Sequence, residues 1–150
     1  LAIGYGLLAI GLTALLLGAQ LWSLGELHAL RDNRLAIYRE AGEWLAQNTA
    51  STATVGALEV GIIGYYAERP IIDFAGLIQP DIAAQLVTQN GYAGAAHWAI
   101  EHYQPDYLVL PDHSLPLAVV APEKADDCRE VATFTAERYP APLRIYACLW

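Results

Sequence analysis

The sequence predicts an α/β protein with one N-terminal transmembrane helix. A small three-layer α/β domain follows, with a mainly parallel sheet and a C-terminal antiparallel strand pair. Three observations predict this architecture. Residues 1–25 carry no charged side chain. Short apolar runs alternate with helical patterns over residues 54–110, the order that strand–helix–strand units produce. Two segments near the C-terminus alternate between apolar and polar residues, as antiparallel strands do.

The uncharged segment is long enough to cross a bilayer. As a helix with a rise of about 1.5 Å per residue, its first 24 residues would reach roughly 36 Å, against a hydrocarbon core of about 30 Å. No basic region precedes the segment, which argues against a secretory signal peptide. The sequence contains no Met, so we expect that the chain begins inside a longer protein or has been processed.

Small residues recur along one face of the predicted transmembrane helix. An ideal helix drifts by only about 20° per heptad, so residues spaced by seven stay on one face. Such a smooth face lets another membrane helix approach closely. Glycine is also simply frequent in membrane spans, which is the alternative interpretation. The residues predicted to pack are Gly4, Gly11, Ala14, Gly18 and Gly25.

A polar linker over residues 26–33 separates this segment from the predicted extracytoplasmic α/β domain, residues 34–150. Apolar side chains at helical spacing predict an amphipathic helix over residues 34–48. Arg69-Pro70 and Asn90-Gly91 punctuate the segments that follow. The predicted strands are 54–59, 71–74, 107–110, 129–134 and 143–149; the helices are 61–67, 80–88 and 93–103; residues 111–127 are a predicted loop.

The charge distribution excludes several classes of partner. The net charge of −8 lies wholly beyond residue 25, and Lys124 is the single lysine. A chain without a basic stripe is not expected to bind nucleic acid. The four histidines and two cysteines follow no metal-binding motif. We therefore expect no metal, no cofactor and no nucleic-acid partner.

A polar binding surface is predicted at the carboxyl ends of the parallel strands, where ligands of such sheets bind. Glu59 and Asp73 end two predicted strands, and Gly76 lies in the next turn. The rings of Tyr65 and Tyr66 could stack on sugar or polyprenyl groups. The alternative is structural: Asp73 would cap the following turn, and the tyrosines would fill the junction between sheet and membrane.

Two other kinds of site receive weaker support. Gly56, Gly61 and Gly64 follow the pattern G-x4-G-x2-G, which departs from the G-x-G-x-x-G of dinucleotide-binding folds. Asp112, His113 and Ser114 are neighbours in sequence, which is no indication of a catalytic triad because triads are assembled in space. No catalytic residue is predicted.

Cys128 and Cys148 lie near the C-terminus at a spacing that fits neither a zinc motif nor a redox pair. If the domain lies outside the cytoplasm, a disulfide between them is expected. The alternative is a pair of small buried thiols.

Residues 34–110 resemble the soluble C-terminal domain of GT-C-type polytopic glycosyltransferases, the relatives of protein mannosyltransferases and of the lipid-A aminoarabinose transferase. Two segments carry the resemblance. One is G-x-x-G-Y-Y…R-P-x-I-D-x-x-G-L, from Gly61 to Leu77, and the other is P-D-Y-x-V, from Pro105 to Val109. In many bacterial members of that family a final membrane span precedes these segments.

The resemblance implies a location and a role. Such enzymes transfer a sugar from a polyprenyl-phosphate donor on the extracytoplasmic side. Their catalytic acid follows the first membrane span, a part that this sequence does not contain. The expectation is a non-catalytic, membrane-anchored domain that assists acceptor or donor binding and contacts membrane lipid and other transmembrane helices. It also makes the Cys128–Cys148 bridge more strongly expected. The alternative is a single-span accessory subunit of a larger membrane complex.

Overall fold

The computed structural model describes residues 2–29, 34–137, 139 and 141–150, and within its first helix it describes the side-chain surroundings of Gly6 and of residues 10–25. The chain divides into two compact units, residues 1–32 and residues 33–150. The first unit contains helix α1, Ala2–Ala29, which continues into the predicted linker. Judged on the described residues alone, no helix of the chain is long and apolar enough to cross a membrane.

The second unit contains the predicted strands and helices, with boundaries that differ from the predicted ones by at most two residues. The additions are two short helices inside the predicted loop. In chain order the elements are α2 (Arg34–Asn48), β1 (Val55–Ala57), α3 (Val60–Ala67), β2 (Ile71–Asp73), α4 (Pro80–Thr88), α5 (Tyr92–Tyr103), β3 (Tyr107–Pro111), α6 (Leu117–Val120), a 3₁₀ helix (Ala125–Asp127), β4 (Cys128–Phe134) and β5 (Leu143–Cys148).

The five strands form one mixed sheet in the order β2-β1-β3-β5-β4. Strand β1 pairs in parallel with β2 and β3, whereas β5 pairs antiparallel with β3 and β4. The predicted α/β class and the C-terminal antiparallel pair are confirmed. The prediction of a mainly parallel sheet is wrong, because that pair extends the same sheet by hydrogen-bonding to the open side of β3.

Helices cover both faces of the sheet, which gives three layers. Helices α2 and α3 pack on one face, where their core side chains meet Val55, Val109 and Ile145. Helices α4, α5 and α6 pack on the other, around Phe74 and Leu108. Successive residues of a strand point to opposite faces, which is why Leu108 and Val109 belong to different cores.

A close approach of two helices shapes the first of these faces. A Cβ atom added to Gly42 of α2 would lie 2.8 Å from the Tyr66 Cβ and 3.0 Å from the Ile63 carbonyl oxygen of α3. Only a residue without a side chain fits there, so the glycine permits α2 and α3 to pack closely.

The strand ends lie along two opposite borders of the sheet, which we call the carboxyl edge and the amino edge. At the carboxyl edge the parallel strands β1, β2 and β3 end. Strand β4 also ends there and β5 begins there, since Phe134 pairs with Leu143 and Leu143 with Pro111. At the amino edge, the parallel strands begin and β5 ends. A disulfide joins Cys128 to Cys148 at this amino edge, with an S–S distance of 2.02 Å and paired Cα atoms 4.0 Å apart.

Candidate functional site at the carboxyl edge

The carboxyl edge contains the point at which the sheet reverses its order. From β1 the chain proceeds outward to β2, and then crosses to β3 on the other side of β1. The first connection carries α3, and the second carries α4 and α5 on the opposite face. In open α/β sheets, ligands bind beyond the carboxyl ends of the two strands that flank such a reversal. Glu59 follows β1 here, and Asp112 and His113 follow β3.

A hydrogen-bonded pair of tyrosines borders this position. The hydroxyl groups of Tyr38 from α2 and Tyr139 from the β4–β5 connection form a hydrogen bond of 3.0 Å, and their rings meet edge to face. The His113 ring lies edge to face with Tyr139, with centroids 5.6 Å apart. Tyr38 is 4% exposed, whereas Tyr139 and Glu59 are half-buried and His113 is exposed. We call Tyr38, Glu59, His113 and Tyr139 the edge cluster.

The electrostatic surroundings keep the Tyr38 hydroxyl neutral. Burial raises its pKa far above the ordinary value of 10.0, and the hydrogen bond to Tyr139 and the negative charge of Glu59 raise the pKa further. The positive charge of Arg34 opposes them. Glu59 ends the loop before α3 but makes no side-chain capping bond to that helix. The edge cluster therefore combines two phenol hydroxyls, a carboxyl group and an imidazole.

Asp112 is engaged with Arg144. Arg144 Nε of β5 donates a 2.6 Å hydrogen bond to Asp112 Oδ2, and its Nη1 donates to Glu130. The bond to Asp112, followed by the bond to Glu130, raises the pKa of the arginine. The Thr133 hydroxyl and then Arg144 lower the pKa of Glu130. The Ser114 N–H donates to the Pro111 carbonyl. Asp112, His113 and Ser114 thus have different partners and do not form a triad.

Asp73 is fully buried, and its carboxylate bonds the turn that follows it. Oδ1 accepts a hydrogen bond from the Ala75 N–H and Oδ2 accepts one from the Ile78 N–H. Gly76 sits in the same turn at φ +67°, with the backbone of Ala83 only 2.6 Å from where a Cβ would be. These contacts match the alternative in which Asp73 caps the turn. They also explain why position 76 needs a glycine: a side chain there would collide with Ala83.

The adjacent tyrosines lie elsewhere on the surface of α3. Tyr65 is exposed and Tyr66 half-buried, with their rings edge to face. The Arg39 guanidinium lies 5.1 Å from the centre of the Tyr66 ring. No hydrogen bond, ion pair or ring contact among the described residues joins either tyrosine to Asp73 or Glu59. The five predicted binding residues therefore divide into three groups: Glu59 in the edge cluster, Tyr65 with Tyr66, and Asp73 with Gly76.

The glycine pattern does not form a nucleotide-binding loop. Gly56 lies inside β1 rather than after it, and an added Cβ there would clash with the Phe74 ring. Gly61 and Gly64 lie within α3, which has only eight residues. Gly56 is needed because the Phe74 ring packs against β1 at that position. Gly61 and Gly64 are ordinary members of a short helix.

Comparison with known proteins assigns the chain to a family. The family described as "Domain of unknown function (DUF8728)" matches residues 26–146, most of the chain. The chain belongs to the DUF8728 family. No curated protein and no solved structure matches it.

The sequence did not reveal three members of the edge cluster of this DUF8728 chain. Tyr38 follows the apolar periodicity of α2, a pattern that indicates a buried helix face and not a binding role. Tyr139 lies 101 positions after Tyr38 in the chain, so no local pattern indicates that the two meet. His113 offered one usable signal, since it lies two residues after the end of the apolar strand β3, in the region where parallel sheets bind ligands.

The small residues of α1 can be located only in part. Around Gly11, Gly18 and Gly25 the space that a Cβ would enter is open, and Ala14 is exposed. The surroundings of Gly4 lie outside the described residues. Among the described residues no three His, Cys, Asp or Glu side chains are grouped so that they could hold a metal ion.

Proposed function

We propose that this DUF8728 chain is a membrane-anchored, non-catalytic extracytoplasmic domain related to polyprenyl-phosphate-sugar-dependent glycosyltransferases. Its edge cluster would help to bind the sugar of an acceptor or of a lipid-linked donor. The observation that carries this proposal is the position of the edge cluster, beyond the carboxyl ends of β1 and β3 where the sheet order reverses.

The chemistry of the edge cluster suits a neutral polyol. Sugar hydroxyls both donate and accept hydrogen bonds, and phenol, carboxylate and imidazole groups supply the matching acceptors and donors. The Tyr38–Tyr139 hydrogen bond orients one hydroxyl towards the other and restricts both rings. Glu59 adds negative charge to a chain of net charge −8, which favours a neutral or cationic sugar over an anionic one.

Three features support the membrane and extracytoplasmic parts of the proposal. Residues 1–25 contain no charged side chain. The Cys128–Cys148 bond suits an oxidising compartment, since disulfides persist there and are rare in the cytosol. The resemblance of residues 34–110 to the C-terminal domain of GT-C glycosyltransferases agrees with both. Membrane lipid and neighbouring transmembrane helices would then be the partners of α1.

A second candidate is a single-span accessory subunit of a larger membrane complex. The open space beside Gly11, Gly18 and Gly25 favours it, because a neighbouring helix could pack closely against that face. A Gly18→Leu variant distinguishes the two. It would release the chain from a complex, but would leave ligand binding by the edge cluster unchanged.

Ligand binding is tested by titrating the full chain in lipid nanodiscs with farnesyl phosphoryl mannose, and separately with farnesyl phosphate. We expect chemical-shift changes at Glu59, His113 and Tyr139 with the sugar-bearing probe alone. Glu59→Gln should weaken binding about tenfold, which corresponds to about 1.4 kcal/mol. Glu123→Gln, an exposed acid of the α6–3₁₀ connection, is the matched control and should bind normally. If neither probe changes the chemical shifts of these residues, sugar binding is refuted.

Membrane attachment has a separate test. We expect the full chain to float with phosphatidylcholine vesicles and to resist alkaline extraction. Replacing Leu12 and Leu16 by Arg should release it, because an arginine at the centre of a span costs about 2.5–3.5 kcal/mol on the insertion scale. Extraction of the unmodified chain at alkaline pH would refute the anchor.

A further inference from the structure

Two large apolar side chains stand exposed at the turn between β2 and α4. Leu77 is 77% exposed and its neighbour Ile78 is 64% exposed. Scattered single apolar residues are ordinary on protein surfaces, but two adjacent ones at the apex of a turn form a local apolar projection. We call Leu77 and Ile78 the apolar tip.

The turn that carries the apolar tip is held in one conformation. The buried Asp73 carboxylate accepts hydrogen bonds from the N–H groups of Ala75 and Ile78. The Gln79 side-chain oxygen accepts a bond from the Asp73 N–H, and the Gly76 N–H donates to the Asp73 carbonyl. Several internal bonds thus fix a turn whose apex is apolar, and the side chains at the apex do not fold back into the core.

The turn that carries the apolar tip has no exposed charged residue of its own. The next exposed charge along the chain is Asp81 in the first turn of α4, whose carboxylate accepts a hydrogen bond from the Tyr103 hydroxyl. Between Pro70 and Pro80 the single charged residue is Asp73, which is buried. Burial of a charged group in lipid would be costly, so a neutral turn can enter an apolar medium at a lower cost than most of the surface of this acidic domain.

The apolar tip lies at the edge of the sheet where the second unit begins. Strand β2 ends at the carboxyl edge, directly before the turn. Helix α2 begins at Arg34, close enough to Tyr38 of the edge cluster to influence its pKa. Leu35, in the first turn of α2, is a further exposed apolar residue. The α/β domain therefore begins at the edge that also carries the apolar tip.

We infer that the apolar tip inserts into the interfacial region of a lipid bilayer. This inference rests on the proposed membrane anchor and extends it to a second, independent contact. Insertion is driven by burial of apolar area and not by attraction of basic residues to acidic lipids. The edge cluster would then face the surface that presents a lipid-linked sugar.

The test uses single thiols in the full chain. The two cysteines of the sequence are bonded to each other, so an introduced cysteine is the one free thiol for labelling. Leu77→Cys and Ile78→Cys are labelled with a nitrobenzoxadiazole dye. Leu149→Cys is the matched control, because Leu149 is an equally exposed apolar residue, 88%, that follows β5 at the amino edge. Each is reconstituted in phosphatidylcholine vesicles with and without doxyl-labelled lipid.

We expect a blue-shifted dye and at least twofold quenching by doxyl lipid at positions 77 and 78, and neither change at 149. Ile78→Asp should abolish quenching of the dye at position 77, whereas Val87→Asp, an exposed site on α4, should not. Both aspartates replace exposed side chains, so the melting temperature should stay unchanged and report an intact fold.

Three results would overturn the inference. Vesicle-bound chains with equal dye signals at 77, 78 and 149 would leave the anchor intact and refute tip insertion alone. A blue shift without doxyl quenching would mean that protein, including a second copy of the chain, covers the tip. Failure of the labelled chains to float with vesicles would refute the anchor and the tip insertion together.

Discussion

The two edges of the sheet use their polar side chains differently. At the amino edge most of their hydrogen bonds are to the backbone. Arg69 donates five hydrogen bonds, four of them to carbonyl oxygens of residues 46, 49, 67 and 68. Asp106 accepts from both the N–H and the hydroxyl of Thr54. At the carboxyl edge, Tyr38 and Tyr139 bond each other, and His113 stays exposed.

This difference agrees with our proposal, in which the amino edge stabilises the fold and the carboxyl edge binds a ligand. Polar groups that satisfy backbone carbonyls cannot be withdrawn without leaving buried acceptors unpaired. Side chains that bond other side chains at a half-open surface can exchange those bonds for bonds to a ligand. Asp73 is the exception, since it lies at the carboxyl edge but bonds the backbone as the amino-edge residues do.

The largest expected effect is at the amino edge. Arg69→Ala should lower the free energy of unfolding by about 3–4 kcal/mol, because it leaves several partly buried carbonyls without a charged donor. The measurement is the urea-unfolding midpoint of the full chain in detergent micelles. Arg39→Ala is the control: Arg39 forms an exposed i,i+4 pair with Glu43 at 2.6 Å and lies over the Tyr66 ring, and its loss should move the unfolding midpoint far less than the loss of Arg69 does. Equal costs for the two variants would remove the contrast between the edges.

Removal of the disulfide should rank next. The bridge closes a loop between residues 20 positions apart, so the double variant Cys128→Ala/Cys148→Ala should lose about 3 kcal/mol by the chain-entropy relation. The melting temperature of the unmodified chain should fall to the value of the double variant when a reductant is added. An unchanged melting temperature under reduction would show that the bridge does not stabilise the amino edge.

Asp73→Asn tests the exception. In the variant, an amide nitrogen replaces one carboxylate oxygen and faces a backbone N–H that then has no acceptor. We expect the free energy of unfolding to fall by about 2 kcal/mol. Binding of farnesyl phosphoryl mannose by the folded variant should not change. Glu59→Gln should behave in the opposite way, with weakened binding and stability within about 0.5 kcal/mol of the unmodified chain. Weakened binding by a fully folded Asp73→Asn would instead assign Asp73 to ligand contact.

Tyr38→Phe should have the smallest effect at neutral pH, about 1 kcal/mol for one lost hydrogen bond. Its signature is pH dependence. Because the pKa of Tyr38 is raised above 10.0 in the folded chain, its contribution to stability is present below pH 10 and is lost as the pH rises above it. The unfolding free energies of the two proteins should therefore converge above pH 10. Parallel curves from pH 8 to 11 would contradict the raised pKa.

The sequence predicted most of the second unit because its signals are local. Arg69-Pro70 ends one helix, Pro80 begins another, and the apolar run of β3 identifies a buried strand. The helix over Leu117–Val120 was missed because four residues are too few for a periodic pattern. The mixed sheet was missed because alternation identifies an antiparallel strand but not the partner beside which it pairs.

The candidate site was predicted only in part, for the same reason. Glu59 and the carboxyl-edge location came from the order of strands and helices. Tyr139 could not have been placed beside Tyr38, since nothing in either local sequence encodes a contact across 101 residues.

By itself, the sequence determined the α/β class, the positions of the longer elements of the α/β domain to within two residues, and the uncharged N-terminal segment, all of which depend on short-range propensity and periodicity. The tertiary structure alone decided which polar residues are available. It placed Asp73 inside a turn, paired Asp112 with Arg144, and assembled the edge cluster from α2, the two strand ends and the β4–β5 connection. Long-range packing made those choices, because a side chain becomes free or engaged only when distant segments of the chain meet.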